Sequence, residues 1–380
     1  MLFSRSFRFL ALLFSVLTLL TACGGEAAVS PTAIAVDPTS VSAPPSPTVT
    51  STPTLVPTNT PVPTNTPTPT PTPNPIADPI TGAPALARGA VTQRPYVVMI
   101  DNHPDAYPQT GLNKAAVVFE ALAEFGVTRF MAVFAPGITP DVAQIGPVRS
   151  SRAYFVQWAT EFHPLYAHAG GSPQALEMLA STKELNDLDA QFSSNAAYFW
   201  RSKDRFAPHN LYTSSELVEQ AAADRGVADF DDPEVGFLFK TDAPADQRPE
   251  SQQLNYFFIY REDHAGWVYD PDTNGYLRLR RGRAAVDAIT GEQLWTKNVV
   301  VIEVEESPIA GDDKGRIEQQ VIGSGSARVF MDGVERAATW RKDSDAGSLR
   351  FYNAAGEEIR LNAGPVWIAV LPSIDNLSVE

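Results

Sequence analysis

Four stretches of this chain gather residues suited to gripping an anion. The first, Asp101-Asn102-His103-Pro104, closes an apolar run with an acid, an amide and an imidazole. Open α/β sheets hold ligands at such strand ends, although the same residues also suit a turn bonded to its own backbone. The second, Gly146-Pro147-Val148-Arg149-Ser150-Ser151-Arg152, leads into a helical pattern. Each guanidinium there offers a planar fork for carboxylate or phosphate. Cations are disfavoured at a helix start unless something negative joins them, so either a bound anion or internal acids such as Glu120 and Glu124 must meet the arginines. The third, His168-Ala169-Gly170-Gly171-Ser172, reads as a strand-to-helix turn where glycine lets a ligand approach the backbone and Ser172 caps the helix. The fourth runs from Arg201 to Tyr212 and carries Arg205, His209 and Asn210 among aromatics, in the kind of polar loop that often carries function.

No established catalytic pattern accompanies these residues. Ser172 lies outside any Gly-x-Ser-x-Gly elbow and no P-loop lysine follows the glycines, so whether the chain is an enzyme stays open. His103, His168 and His209 with Asp101 would supply nitrogen and oxygen donors, but no pair has zinc-motif spacing. Neither a metal nor a cofactor is expected. Later in the chain, Asp263-His264 with Trp267, Tyr269 and Tyr276 would suit stacking on sugar rings if exposed, or filling a core if not.

The elements that must position these groups fall into two kinds. Val97–Ile100, Ala115–Glu120, Arg129–Phe134 and Leu165–His168 are short apolar runs that read as buried strands. Arg152–Phe162 repeats aromatics at spacings of three and four, as a helix packing one face does. Ser172 with Pro173 starts a second helix, and Thr213 with Glu216 forms a capping box for a third that runs to about Ala223. After the polar stretch Thr241–Glu250 the period changes. Leu254–Arg261, Trp267–Tyr269, Tyr276–Arg280, Asn298–Val304, Ile317–Ile322, Ala327–Met331, Ala337–Arg341 and Pro365–Val370 are short strands separated by turns such as Asp332-Gly333. The expected class is a mixed α/β domain over 80–240, then a β-rich antiparallel domain over 251–380. That second part is sandwich-like or barrel-like, unless its strands continue the first sheet.

Ahead of these lies an address. Arg5 and Arg8 precede an apolar run from Phe9 to Leu20, shaped like a secretory signal, and Leu20-Thr21-Ala22-Cys23 resembles a bacterial lipobox. Cys23 is the only cysteine. Lipid on its thiol, with residues 1–22 removed, would tether the chain to a membrane on its outward face, within the cell envelope. Residues 23–79 are rich in Pro and Thr and lack the bulky side chains a core needs, so they read as a disordered stalk. The net charge is −15, and loss of Arg5 and Arg8 leaves −17. That acidity argues against nucleic-acid binding, and one cysteine excludes an internal disulfide.

Taken together, Val97 to Pro104, Gly126 to Met131, Gly146 to Ser150, His168 to Leu176 and Pro208 to Tyr212, followed by Asn298 to Val301, Gly323-Ser324-Gly325, Asp332-Gly333 and Trp340, resemble the YerB-like lipoprotein family. The resemblance implies a two-domain envelope lipoprotein of unknown function and supplies no catalytic residue. A more distant likeness, to envelope phosphotransferases that attach glycopolymers to peptidoglycan, rests on Pro147-Val148-Arg149-Ser150, where Val148 and Ser150 depart from their Pro-Arg-Asp. The function expected is binding of an anionic or polyhydroxyl ligand, a cell-wall glycopolymer or lipid-linked sugar, by Arg129, Arg149, Arg152, His103, His168 and His209. Phosphoryl or glycan transfer at the same cluster, or a protein-interaction role for the β-rich part, are the alternatives.

Overall fold

The structure is a computed structural model that describes residues 76–85, 91–139, 141–230 and 235–380. Cys23, the segment 1–22 and most of the stalk lie outside the described residues. Pro71–Glu380 form one compact unit. Its spine is a ten-stranded sheet to which the two halves of the chain contribute five strands each.

The first half supplies β1 (Tyr96–Asp101), β2 (Val117–Leu122), β3 (Thr128–Phe134), β4 (Leu165–His168) and β5 (Asn186–Asp189). β1 to β4 are buried along their whole length. Such largely apolar, fully buried strands belong to a sheet covered on both faces. From one edge the order is Arg350–Tyr352, Val334–Lys342, Gly323–Met331, Asn298–Glu303, Val366–Leu371, β2, β3, β1, β4, β5. Val366–Leu371 pairs parallel to both β2 and Asn298–Glu303, and so joins the halves.

Side chains alternate between the two faces. Val97, Met99, Phe119 and Met131 point to one side, packed by Tyr154, Phe155 and Trp158 of α1 (Ala153–Thr160) and Leu179 of α2 (Pro173–Ser181). Val98, Ile100, Phe130 and Trp367 point to the other. They meet Val218 and Ala221 of α3 (Ser215–Asp224) and a second, antiparallel sheet built on Gln253–Tyr256, Ala265–Asp270 and Gly275–Arg280. The β-rich half therefore continues the first sheet and also lays a smaller sheet across it.

Local chemistry explains the helix starts. Ser172 Oγ accepts the Ala175 amide at 3.2 Å, with Pro173 in the first turn of α2. The third helix is capped by Ser214, whose Oγ accepts from Leu217 N at 3.2 Å, rather than by Thr213. Thr213 is buried and donates to Tyr198 O at 2.8 Å. Trp267, Tyr269 and Tyr276 are buried, which assigns them to the core and removes them as an exposed sugar platform.

Candidate functional site

Asp101 is the last residue of β1, and the two loops facing it are sewn to that strand by backbone. Its amide donates to Pro147 O at 2.9 Å, and the Arg149 amide donates to Met99 O at 2.8 Å. Val148 N in turn donates to Leu211 O at 2.6 Å. The segments bearing Arg149 and His209 thereby converge on one carboxylate. Asp101 Oδ1 accepts from the His103 amide at 3.0 Å. Oδ2 accepts from Arg149 Nε at 3.0 Å and from His209 Nδ1 at 2.7 Å. Burial alone would raise the Asp101 carboxyl, but the His103 amide, Arg149 and His209 together hold it below its ordinary value. An ionised carboxylate only accepts, so Nδ1 of His209 carries the hydrogen and Nε2 is its free acceptor in the neutral ring.

The His103 and His209 rings stack 4.6 Å apart at 15°. Arg149 is about a third exposed, and neither of its terminal nitrogens has a protein partner among the described residues. Phe206, in the same loop as His209, is almost fully exposed. Asn102 sits beside this group with its amide committed, donating to Thr128 Oγ1 at 2.7 Å and accepting from Gln109 at 2.8 Å. Spacing predicted no metal set, but the fold brings His103, Asp105 and His209 together, with one donor atom of each within 4.8 Å of the others.

The remaining expected residues go elsewhere, each with an internal partner. Arg129 and Arg152 both pair with Glu124, the former at 3.3 Å, and Arg129 also donates to Ser150 O at 2.9 Å. Ser150 Oγ is spent on Ala169 O at 2.9 Å. His168 is fully buried between Gly170 O and the Asp187 carboxylate, at 2.9 and 2.7 Å. The anion-seeking turn at Gly170 is filled from within, since its amide donates to Asp189 Oδ1 at 2.8 Å. A Cβ on Gly171 would meet Leu176 at 3.2 Å, so close packing accounts for that glycine. Arg205 ties its loop to the carbonyls of Ala106 and Pro108. Asn210 closes the same loop on Ser202 O at 2.9 Å and accepts from Arg201 at 2.7 Å.

Glu120 lies on the face of the sheet that meets the smaller one. Nη2 of Arg278 donates to both of its oxygens, at 2.7 and 2.9 Å, while Tyr256 donates at 3.0 Å and Trp367 at 3.2 Å. Above this pair is a cavity of about 100 Å³ lined by Asn102, Gln109, Glu120, Thr128, Arg278 and Arg280. Arg280 stacks on Tyr107 at 4.5 Å, and burial lowers its guanidinium. Sequence reading passed over it. The available signal was period two along Gly275–Arg280, which puts Tyr276, Arg278 and Arg280 on one face.

An α/β half and a β-rich half sharing one sheet, with a polar cluster at the end of β1, define the class. Residues 80–228 match the family described as "Protein of unknown function (DUF3048) N-terminal domain", and residues 254–368 match its C-terminal domain. The chain is 30% identical over 308 residues to YerB of Bacillus subtilis (strain 168), whose name describes it as a lipoprotein; the match covers 80% of this chain and 88% of that protein. The crystal structure of Bacillus subtilis YerB superposes with a TM-score of 0.70 at 28% identity, over 80% of this chain and 99% of that one. This chain belongs to the YerB-like, DUF3048 family.

Proposed function

We propose that the protein is held by lipid on Cys23 at the outward face of a bacterial membrane, and that it binds an anionic, sugar-bearing ligand of the cell envelope beside Asp101. The lipobox resemblance and the name of its Bacillus relative support the anchor. One observation carries the binding reading. Arg149, whose side chain is about a third exposed, is fixed through Nε on the carboxylate oxygen that also holds His209, which leaves its two terminal nitrogens unfilled among the described residues. A guanidinium fixed at one nitrogen has little entropy left to lose when its other side meets a phosphate or carboxylate. Exposed Phe206 offers a ring for a sugar to stack on.

The test is binding of purified wall glycopolymer, and of a polyprenyl-pyrophosphate-linked disaccharide in vesicles, to the mature chain and to Arg149→Ala. A charge-assisted hydrogen bond contributes about 1.5–3 kcal/mol, so the variant should bind about 10- to 100-fold more weakly. Unchanged affinity for both probes in a variant that melts like the parent refutes the reading.

A further inference from the structure

We infer that His103, Asp105 and His209 bind one divalent transition-metal ion, with zinc the best match to their donors. The three belong to two loops, and the fold sets one donor atom of each within 4.8 Å of the others. His103 Nδ1 and Asp105 Oδ2 are 3.6 Å apart. Two ligands of a tetrahedral zinc, at bond lengths of 2.0–2.2 Å, lie about 3.4 Å from each other. Asp105 is largely exposed and His103 more than a third exposed, so both turn inward without disturbing the core. Among the described residues, the turn gives up the His103–His209 stack and the long bond, at 3.2 Å, from the Asp105 amide to His103 Nδ1.

His209 supplies the independent argument. Its Nδ1 is bound to a carboxylate that is 2% exposed and is itself fixed by the His103 amide and Arg149. Histidines that ligate metals almost always donate their other ring nitrogen in this way, which fixes the tautomer and leaves Nε2 basic. The two imidazoles lie 4.6 Å apart in a near-parallel stack, and because their lone pairs lie in separate ring planes, His103 must swing out of the stack for both rings to reach one ion. Two imidazoles and one carboxylate suit zinc, nickel or copper better than magnesium or calcium. Arg149 does not repel the ion outright, because Asp101 neutralises it at 3.0 Å. Three protein ligands on an exposed rim leave a coordination position open. Since Arg149 and His209 share Asp101 Oδ2, a phosphate oxygen on the ion would lie within reach of the free guanidinium nitrogens. The metal site stands on its own donors, whereas this phosphate bridge rests on the anion-binding reading above.

The experiment uses the tag-free mature chain. Zinc uptake is measured by titration calorimetry and by metal analysis after dialysis, and pyrophosphate binding is then measured with and without zinc. One equivalent should bind to the parent. Asp105→Ala, a change at an exposed side chain, should weaken uptake at least tenfold, and His103→Ala and His209→Ala should abolish it. Asp101 acts as a positioning residue, so Asp101→Asn should cost 10- to 100-fold in zinc affinity. Arg149→Ala should keep zinc and lose pyrophosphate. No saturable uptake by the parent, or uptake unchanged in the Asp105 and His209 variants, overturns the metal site. Zinc uptake without any pyrophosphate binding upholds the metal and refutes the anion reading. Pyrophosphate binding with no zinc uptake does the reverse.

Discussion

A single carboxylate, Glu124, holds two buried guanidiniums, those of Arg129 and Arg152. Burial lowers both, Arg152 to about 10. Removing one partner of such an arrangement leaves charge stranded out of water, which costs about 3–5 kcal/mol. Glu124→Ala should therefore lose about 3 kcal/mol or more in chemical denaturation, and a loss below about 1 kcal/mol would contradict this accounting. Arg149 differs from Arg152 for a reason the chain alone only half discloses. Both are arginines three residues apart at a helix start, but the backbone is still extended at Arg152, with φ −133° and ψ 156°. In an extended segment, residues three apart face opposite sides. One meets Glu124 and the other meets Asp101. That the entry to α1 needs acid nearby was legible from the helix dipole, but which acid serves which arginine depends on loops that meet only in the fold. Asp101 and His209, 108 residues apart in sequence, show the same limit.

At the scale of elements, the hairpin joining Gly323–Met331 to Val334–Lys342 turns on Asp332-Gly333, both with positive φ, at 56° and 69°. Such two-residue turns match the twist of the strands they join. Asp332 does more than turn the chain. Its carboxylate accepts from Lys240 at 2.6 Å, Asn274 at 2.9 Å, Asn362 at 2.7 Å and the Ala243 amide at 3.1 Å. Burial opposes ionisation, yet these four donors outweigh it and hold the group at about 2, below its usual 3.8. A depressed acid stabilises the fold above its unfolded pKa and loses that contribution as pH falls toward the folded value. Stability should thus decline between about pH 4 and pH 2. Asp332→Asn keeps the turn but should flatten that slope and cost about 1.5–3 kcal/mol at neutral pH; an unaltered acid melting profile would refute the assignment. Strands such as β1 and β4 were legible because their apolar runs are uninterrupted. β5, Asn-Asp-Leu-Asp, was not, because it lies at the sheet edge and only Leu188 and Asp189 are buried. Polar residues suffice there, and nothing in their pattern marks a strand.

Across the whole molecule, the halves are joined where Val366–Leu371 enters between β2 and Asn298–Glu303. Beside that junction, Glu120 and Arg278 are both nearly inaccessible. Arg278 also lies over Trp267 and Trp367, at 5.0 and 4.4 Å. Glu120→Ala should cost about 3–5 kcal/mol because it strands Arg278 inside. The same geometry predicts that Pro71–Glu380 unfolds in one transition. A fragment ending at residue 250 should lack a cooperative melt, since β2 would lose a neighbour and Glu120 its cation; a sharp melt from that fragment would disprove the coupling. The change from α/β to β-rich was legible in the shift of hydrophobic period. The shared sheet was open as an alternative only, because strand order depends on pairings between segments hundreds of residues apart, to which local pattern is blind.

That strand order also has a bearing on biosynthesis. Val366–Leu371 lies fifth from one edge of the sheet, yet it is the last of the ten strands to be made. Until it arrives, β2 offers an open row of amides and carbonyls flanked by apolar side chains such as Val118 and Phe119, the type of edge that recruits foreign strands. The nascent polypeptide thus cannot close the centre of its sheet until Val366–Leu371 is made, and shielding of β2 during that interval bears on its yield.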